Sequence, residues 1–158
     1  MLTNPTRYGL IACRYLVWGW HNGLWLTAPD IAERYGMNVR ALSPALKQLV
    51  RAGVLRSRRG GTRPGFMLSR APEKITMLEV VRALEGEYHI DCCRSVLPGI
   101  RCTCCSSDCR ICGVFRGILD DLRSRLSSLS LEDHSSTEDF RGGGILQGSA
   151  NLARMMSN

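Results

Sequence analysis

The stretch that decides the fold covers residues 27–53 and reads TAPDIAERYGMNVRALSPALKQLVRAG. Thr27 and Asp30 form a variant of the capping box, which predicts a helix from about Pro29 to Tyr35. A glycine ends this helix, and a second helix is predicted from an N-cap at Asn38 to about residue 52. Two short helices joined by a glycine-containing turn are typical of a helix-turn-helix unit.

The second helix of such a unit presents its N-terminal residues to the major groove of DNA. Leucines at its other positions supply a buried face, and Pro44 predicts either a kink or a tight first turn. The residues predicted to contact DNA from this helix are Asn38, Val39, Arg40, Ser43 and Lys47.

Residues 54–68, VLRSRRGGTRPGFML, predict a β-hairpin, because two apolar segments flank a basic, glycine-rich tip. Directly after a helix-turn-helix, such a hairpin is the wing of a winged-helix domain. Arg58, Arg59 and Arg63 are then expected to reach phosphates or a narrow minor groove. The alternative for this segment alone is a flexible basic loop.

Three further helices are predicted around this unit. Apolar residues at helical spacing indicate a buried first helix from about Arg7 to Trp20 and another from Ile75 to Leu84, with Thr76 as its N-cap. From Ile111 onward an amphipathic pattern carries a long apolar stripe. We expect this last helix to cross a second copy of the chain, since a winged helix offers little spare surface to cover it.

The fold class predicted from these patterns is mainly α, with a small β-hairpin wing and a long dimerisation helix. The domains are predicted as a winged-helix DNA-binding domain over 1–86, a cysteine-rich loop over 87–112, a dimerisation helix over 113–131 and a disordered tail over 132–158.

Charge is unevenly distributed along the chain. Residues 1–70 hold eleven arginines and lysines against two acids, a balance of +9, whereas residues 71–158 hold ten against twelve, a balance of −2. The basic half is almost all arginine, whose planar fork suits phosphate and guanine. This half is therefore a candidate polyanion binder, with a solvated basic surface as the alternative. Together with the helix-turn-helix and the wing, it predicts double-stranded DNA as the partner.

The cysteines are concentrated in one segment. Seven of the eight lie within residues 92–112. They are Cys92, Cys93, Cys102, Cys104, Cys105, Cys109 and Cys112. Thiolates are soft ligands, and several in a short segment can close on a soft or borderline metal. The eighth, Cys13, falls in the first helix and is predicted to be a small buried hydrophobe.

The predicted compartment supports metal or redox chemistry at these thiols. No apolar run approaches membrane-spanning length, and the first six residues lack the pattern of a secretory signal, which predicts a cytoplasmic protein without a membrane partner. Clustered cysteines in a reducing compartment favour metal binding or redox chemistry over a disulfide framework.

The spacing of the cysteines indicates which kind of metal group they bind. The C-x-x-C pairs Cys102/Cys105 and Cys109/Cys112 are separated by only three residues. Structural zinc sites usually separate such pairs by a dozen or more, whereas iron–sulphur clusters accept compact spacing. Zinc remains the main alternative, and a thiol redox switch is third.

Several short motifs, in this order and at these distances, resemble the IscR/NsrR family of bacterial winged-helix regulators. The match extends from about Leu2 to Leu131. The motifs are Leu2-Thr3, Arg7-Tyr8-Gly9, Ala28-Pro29-Asp30-Ile31-Ala32, Ala52-Gly53-Val54-Leu55, Arg59-Gly60-Gly61 and Ala83-Leu84-Glu85-Gly86. The resemblance implies a dimer joined through the long helix and a 2Fe–2S or 4Fe–4S cluster, held by three loop cysteines and a variable fourth ligand.

The family's ligand positions transfer to this chain as a set of four thiols. The resemblance assigns them to Cys93, Cys102, Cys109 and Cys112, with Cys92, Cys104 and Cys105 as alternates. Other members recruit an acidic residue from the partner's first helix. Arg7 stands at that position here and cannot ligate a metal.

The recognition helix departs from the family pattern, because Ala41-Leu42-Ser43-Pro44 replaces tyrosine, leucine, glutamate and glutamine. The wing also carries Thr62-Arg63-Pro64 where relatives have mostly glycine. This chain is therefore not expected to recognise the DNA operators that its relatives recognise.

The sequence thus predicts a dimeric, cytoplasmic transcription regulator whose cluster senses iron, redox state or nitric oxide. The alternative is a zinc-stabilised DNA-binding protein without sensing. An enzyme is disfavoured, because no base–nucleophile arrangement and no strand–C-x-x-C–helix context is found.

Overall fold

The computed structural model describes residues 2–61, 64–87 and 110–135, with the backbone alone for residues 110–112 and 134. It confirms a mainly helical fold with one two-stranded antiparallel hairpin. The elements are α1 Asn4–His21, α2 Ala28–Tyr35, α3 Val39–Arg51, β1 Leu55–Arg58, β2 Gly65–Leu68, α4 Met77–Glu85 and α5 Arg110–Ser128, with short 3-10 turns at Pro72–Lys74 and Glu132–His134.

Two capping boxes fix the starts of α2 and α4. The Thr27 amide donates to Asp30 Oδ2 over 2.9 Å, and the Asp30 amide donates back to Thr27 Oγ1 over 3.3 Å. Thr76 and Glu79 repeat the arrangement at α4, over 2.8 Å and 3.2 Å. Each box satisfies backbone donors that a helix start leaves free. The predicted N-caps are therefore confirmed.

Helix α1 is the centre of the core and packs against α3, α4 and β2. It begins at Asn4, three residues before the predicted start, because Pro5 occupies the first turn, where its missing amide costs no hydrogen bond. Gly9 allows a close crossing with α4, since a Cβ there would clash with Leu84 Cδ1. The largest fully buried side chains are Leu16, Leu26, Ile31, Leu42, Leu46, Leu49, Leu68, Ile75, Val17, Val80 and Val81.

The hairpin is extended by a third short segment. The Leu26 amide donates to the Phe66 carbonyl over 3.0 Å, and the Phe66 amide donates to the Leu26 carbonyl over 2.8 Å. Gly65 permits this approach, because its φ is 145° and a Cβ there would lie 2.7 Å from the Leu26 carbonyl oxygen. The chain before α2 is thereby joined to the wing.

The chain after α5 is bonded back onto the winged-helix head, defined as residues 2–87. The Met77 amide donates to the Leu129 carbonyl over 2.8 Å, and the Leu131 amide donates to the Ile75 carbonyl over 2.9 Å. Leu131 is only 3% exposed and belongs to the core. Glu132 then pairs with His21 over 2.9 Å. The C-terminal end of α5 is therefore fixed to the head by main-chain hydrogen bonds.

Residues 132–134 lie at the start of the segment predicted as a disordered tail, and they form a short 3-10 turn. The rest of that segment, residues 136–158, lies outside the described residues. The predicted domain boundaries stay predictions.

Candidate nucleic-acid interface

One face of α3 is exposed and basic. Arg40 and Lys47 are exposed on it, and Val39 in the first turn is 37% exposed. The opposite face is completely buried by Leu42, Leu46 and Leu49. Helix α3 is therefore anchored by leucines and presents cationic and apolar groups outward, as a groove-reading helix requires.

The polar side chains at the start of α3 are engaged within the helix itself. Asn38 Oδ1 accepts a hydrogen bond from the Arg40 amide over 2.8 Å, which confirms Asn38 as the N-cap. Ser43 Oγ donates to the Val39 carbonyl over 2.8 Å. Both side chains therefore stabilise the first turn. Arg40 and Lys47, the charged residues of α3 that were predicted to contact DNA, are exposed, and their contacts with DNA stay a prediction.

Helix α3 continues through Pro44 to Arg51. Arg40, Pro44, Lys47 and Arg51 follow one another at spacings of four, three and four residues, which places them on one face. All four are exposed. Arg51 and Pro44 were not among the residues predicted to contact DNA, although their spacing from Arg40 and Lys47 places them on the same face.

The wing contributes a second basic group. Arg58 and Arg59 are exposed at the end of β1 and just after it, and Gly60 and Gly61 turn the chain with φ of 80° and 81°. Arg63, also predicted to contact DNA, lies outside the described residues. The hairpin prediction is confirmed, and the contacts of its tip stay a prediction.

The base of the wing holds an arrangement that sequence reasoning missed. The guanidinium carbons of Arg56 and Arg58 lie 5.2 Å and 5.4 Å from the centre of the Trp25 ring. Neither Arg56 nor Trp25 was assigned to the interface from the sequence. The contact depends on the pairing of Leu26 with Phe66, which has no local sequence signal.

The predicted cluster ligands have no described side chains. Cys92, Cys93, Cys102, Cys104, Cys105 and Cys109 lie outside the described residues, and only the backbone of Cys112 is described, in the first turn of α5. Within the described side chains, no group of three or more His, Cys, Asp or Glu residues could hold a metal ion. The ligand set therefore stays a prediction.

Cys13 is separate from that segment. It is fully buried in α1, and burial raises the pKa of its thiol to about 12. A thiol with so high a pKa stays protonated near neutral pH, which makes it a poor metal ligand. Its predicted place as a small core residue is confirmed.

Helix α5 exposes an apolar stripe. The exposed fractions are 64% for Val114, 42% for Phe115, 55% for Ile118 and 40% for Leu122. Leu119 and Leu126, which are partly buried, lie on a neighbouring face. Among the helices that the structure describes, none is both long and apolar enough to cross a membrane.

Comparison with known proteins identifies the family. The family model described as "Rrf2: Iron-dependent Transcriptional regulator" matches residues 2–136. The chain belongs to the Rrf2 family. An Rrf2-like HTH-type transcriptional regulator of Rhodobacter capsulatus is 34% identical to this Rrf2-family chain over 110 residues, which cover 68% of the chain and 73% of that relative.

Solved structures share the fold of this Rrf2-family regulator. CymR, the global cysteine regulator of B. subtilis, matches with a TM-score of 0.66 and 23% identity, covering 85% of this chain and 95% of its own. IscR of T. potens matches with a TM-score of 0.64 and 22% identity, covering 96% of each chain. The predicted resemblance is confirmed, and the chain is a DNA-binding transcription regulator of this family.

Proposed function

We propose that this Rrf2-family regulator is a cytoplasmic homodimer whose cysteine segment binds an iron–sulphur cluster, and that the state of the cluster changes operator binding. The observation that carries the proposal is the position of seven cysteines directly before and within the first turn of α5. Seven thiols in 21 residues provide more soft donors than one cluster needs.

Helix α5 connects the cysteine segment to the DNA-binding head, so it can carry a structural change from one to the other. Helix α5 starts at Arg110, one residue after Cys109, and its other end is hydrogen-bonded to the head through Leu129 and Leu131. Residues 75–77, which form these bonds, lead directly into α4, and α4 packs on α1 and α3. A change at the cysteine end of α5 therefore acts on an element bonded to the head.

A second copy of the chain is the proposed occupant of the apolar stripe on α5. The helix has 19 residues and is about 28 Å long, so two such helices can bury a continuous seam. A two-fold pair would also place two α3 helices against two half-sites. Arg40 and Lys47 would then approach guanine edges, and the wing arginines would approach phosphates.

The bound cluster would supply a redox-active, charged group whose loss or oxidation changes the charge of the thiolate segment. The cysteines would bind the cluster, and α5 would transmit a change in the cluster to the head. Helix α3 and the wing would contact the duplex. The family description "iron-dependent" supports this assignment over a regulator without iron.

The decisive test is metal and sulphide analysis of protein purified without oxygen, together with its visible absorption spectrum and its affinity for DNA. We expect iron, acid-labile sulphide and visible absorption, with DNA affinity that changes when the cluster is removed. Zinc without visible absorption would favour the zinc-stabilised alternative, and a metal-free protein whose DNA binding follows thiol oxidation would favour a thiol switch.

A further inference from the structure

The base of the wing presents a row of three side chains across three chain segments. Arg56 pairs with Met67 in the β1–β2 register, and the bridge between Leu26 and Phe66 places Trp25 beside Met67 on the other side. Side chains opposite one another in antiparallel pairs lie on the same face. Arg56, Met67 and Trp25 therefore share one face of the hairpin, and Arg58, two residues along β1, shares it too.

The contacts on this face show two arginines held on one aromatic ring. Their guanidinium carbons lie 5.2 Å and 5.4 Å from the Trp25 ring centre, within the range of a cation–π interaction. Arg56 also donates through Nη2 to Met67 Sδ over 3.2 Å. Met67, the middle residue of the row, is only 6% exposed and lies beneath the arginine and tryptophan side chains. The two long side chains are therefore restrained before any ligand arrives.

The electrostatics of the pair favour an anion. Among the described residues, neither Arg56 nor Arg58 forms an ion pair with a carboxylate, and both side chains are exposed. Two like charges gathered on one ring repel each other, and an anion placed between them removes that repulsion. A phosphodiester suits this site, because a guanidinium fork binds its oxygens through two parallel hydrogen bonds.

We propose that Trp25 positions Arg56 and Arg58 to bind the phosphate backbone of DNA at the base of the wing. This inference rests on the proposed DNA binding by α3 and the wing, and it extends that interface to the segment before α2. Trp25 is a positioning residue that acts through the arginines. Preorganisation strengthens binding because less side-chain entropy is lost on contact.

The test is a double-mutant cycle on a mixed-sequence DNA duplex, with binding measured over a range of salt concentrations. The variants are Trp25→Leu, Arg56→Gln with Arg58→Gln, and all three changes together. We expect the paired glutamines to lower the salt slope by about two units, one for each phosphate contact. Trp25→Leu alone should weaken binding about three-fold. Trp25→Leu should have no further effect once both arginines are glutamine.

Two matched variants separate positioning from folding. Trp25→Phe keeps an aromatic face and should retain most of the binding. Trp20→Leu removes another half-buried tryptophan, at the end of α1, and should leave the salt slope unchanged. The free energy of unfolding of each variant is measured alongside, so that a loss of binding through unfolding is recognised.

Three outcomes decide the matter. The inference is overturned if the arginine pair keeps the wild-type slope, because no phosphate contact is then made. It is also overturned if Trp25→Leu weakens binding equally with and without the arginines, because the ring then acts only through the fold. Failure of the wild-type protein to bind DNA would contradict the proposed function itself.

Discussion

The buried hydroxyl of Thr6 donates a hydrogen bond to Glu85 Oε1 over 2.6 Å. The Thr3 amide donates to the same oxygen over 2.7 Å. Glu85 is the last residue of α4, from which the chain continues towards the cysteine segment. These bonds therefore join the first turn of α1 to the C-terminal end of α4.

The hydrogen bonds to Glu85 make the free energy of unfolding depend on pH in a defined direction. The hydrogen bond from the Thr6 side chain, followed by that from the Thr3 backbone, holds the pKa of Glu85 below its usual value. A carboxyl with a lowered folded-state pKa stabilises the fold above its unfolded pKa, and this contribution is lost as pH falls through the folded pKa. Thr6→Val should lower the free energy of unfolding by about 1 kcal/mol near neutral pH.

Urea titrations of this variant and the wild type across the acid range check the prediction. The difference between them should narrow as Glu85 becomes protonated. Thr6→Ser keeps the hydroxyl and should retain the wild-type pH dependence. A difference that is constant from neutral to strongly acidic pH would show that Thr6 acts only by packing.

Arg40 and Arg59 should differ in the way they contribute to DNA binding. Arg40, on the exposed face of α3, is expected to contact a base, so Arg40→Ala should cost about 1–3 kcal/mol and relax specificity at one position. Arg59, on the wing, is expected to contact a phosphate, so Arg59→Ala should weaken binding to all sequences and lower the salt slope by about one unit.

Titration of a selected operator and a mixed-sequence duplex at several salt concentrations distinguishes the two effects. Arg116→Ala, an exposed arginine on α5, is the matched control and should bind both duplexes as the wild type does. Unchanged binding for both Arg40→Ala and Arg59→Ala would contradict docking through α3 and the wing.

A charge on the exposed stripe of α5 should break the proposed dimer. Ile118 is 55% exposed in the single chain, and Ile118→Glu would bury an unpaired carboxylate in the seam, which costs several kcal/mol. Sedimentation equilibrium should therefore show a monomer. Arg116→Glu introduces a carboxylate on the opposite side of the same helix and should stay dimeric. A monomeric wild type at working concentration would refute the assembly.

Substituting two cysteines, one at a time, should distinguish a cluster ligand from a cysteine of the core. Cys109→Ala should abolish the visible absorption of protein purified without oxygen, because this position directly precedes α5, where backbone amides and the helix dipole favour a thiolate. Cys13→Ala should keep that absorption, since its thiol is buried and protonated. Iron and sulphide contents give a second readout. A full spectrum in Cys109→Ala would show that the ligand assignment is wrong.

The sequence predicted the parts of the fold that depend on local signals. The capping box at the start of α2, the caps at Asn38 and Thr76, and the turn between α2 and α3 each rest on residues within four positions of one another. The exposed residues of α3 follow from helical spacing for the same reason. These features were accessible because their energetics are decided within one helix turn.

The parts that the sequence did not predict depend on pairing between distant segments. Nothing local indicates that Leu26 pairs with Phe66, so the contact of Trp25 with Arg56 was missed. Likewise, nothing in the local sequence around Leu131 indicates that its side chain lies in the core of the head. Such contacts depend on which distant segments pair with each other, and the periodic pattern of a single segment does not predict its partner.

The hydrogen bonds that attach the end of α5 to residues 75–77 consist only of main-chain atoms. Ordinary side-chain substitutions cannot remove them, because every residue except proline carries the same amide and carbonyl. Substitutions on the surface of α5 therefore leave these bonds in place. The exposed side chains along α5 can therefore change in evolution while the end of this helix stays bonded to the DNA-binding head.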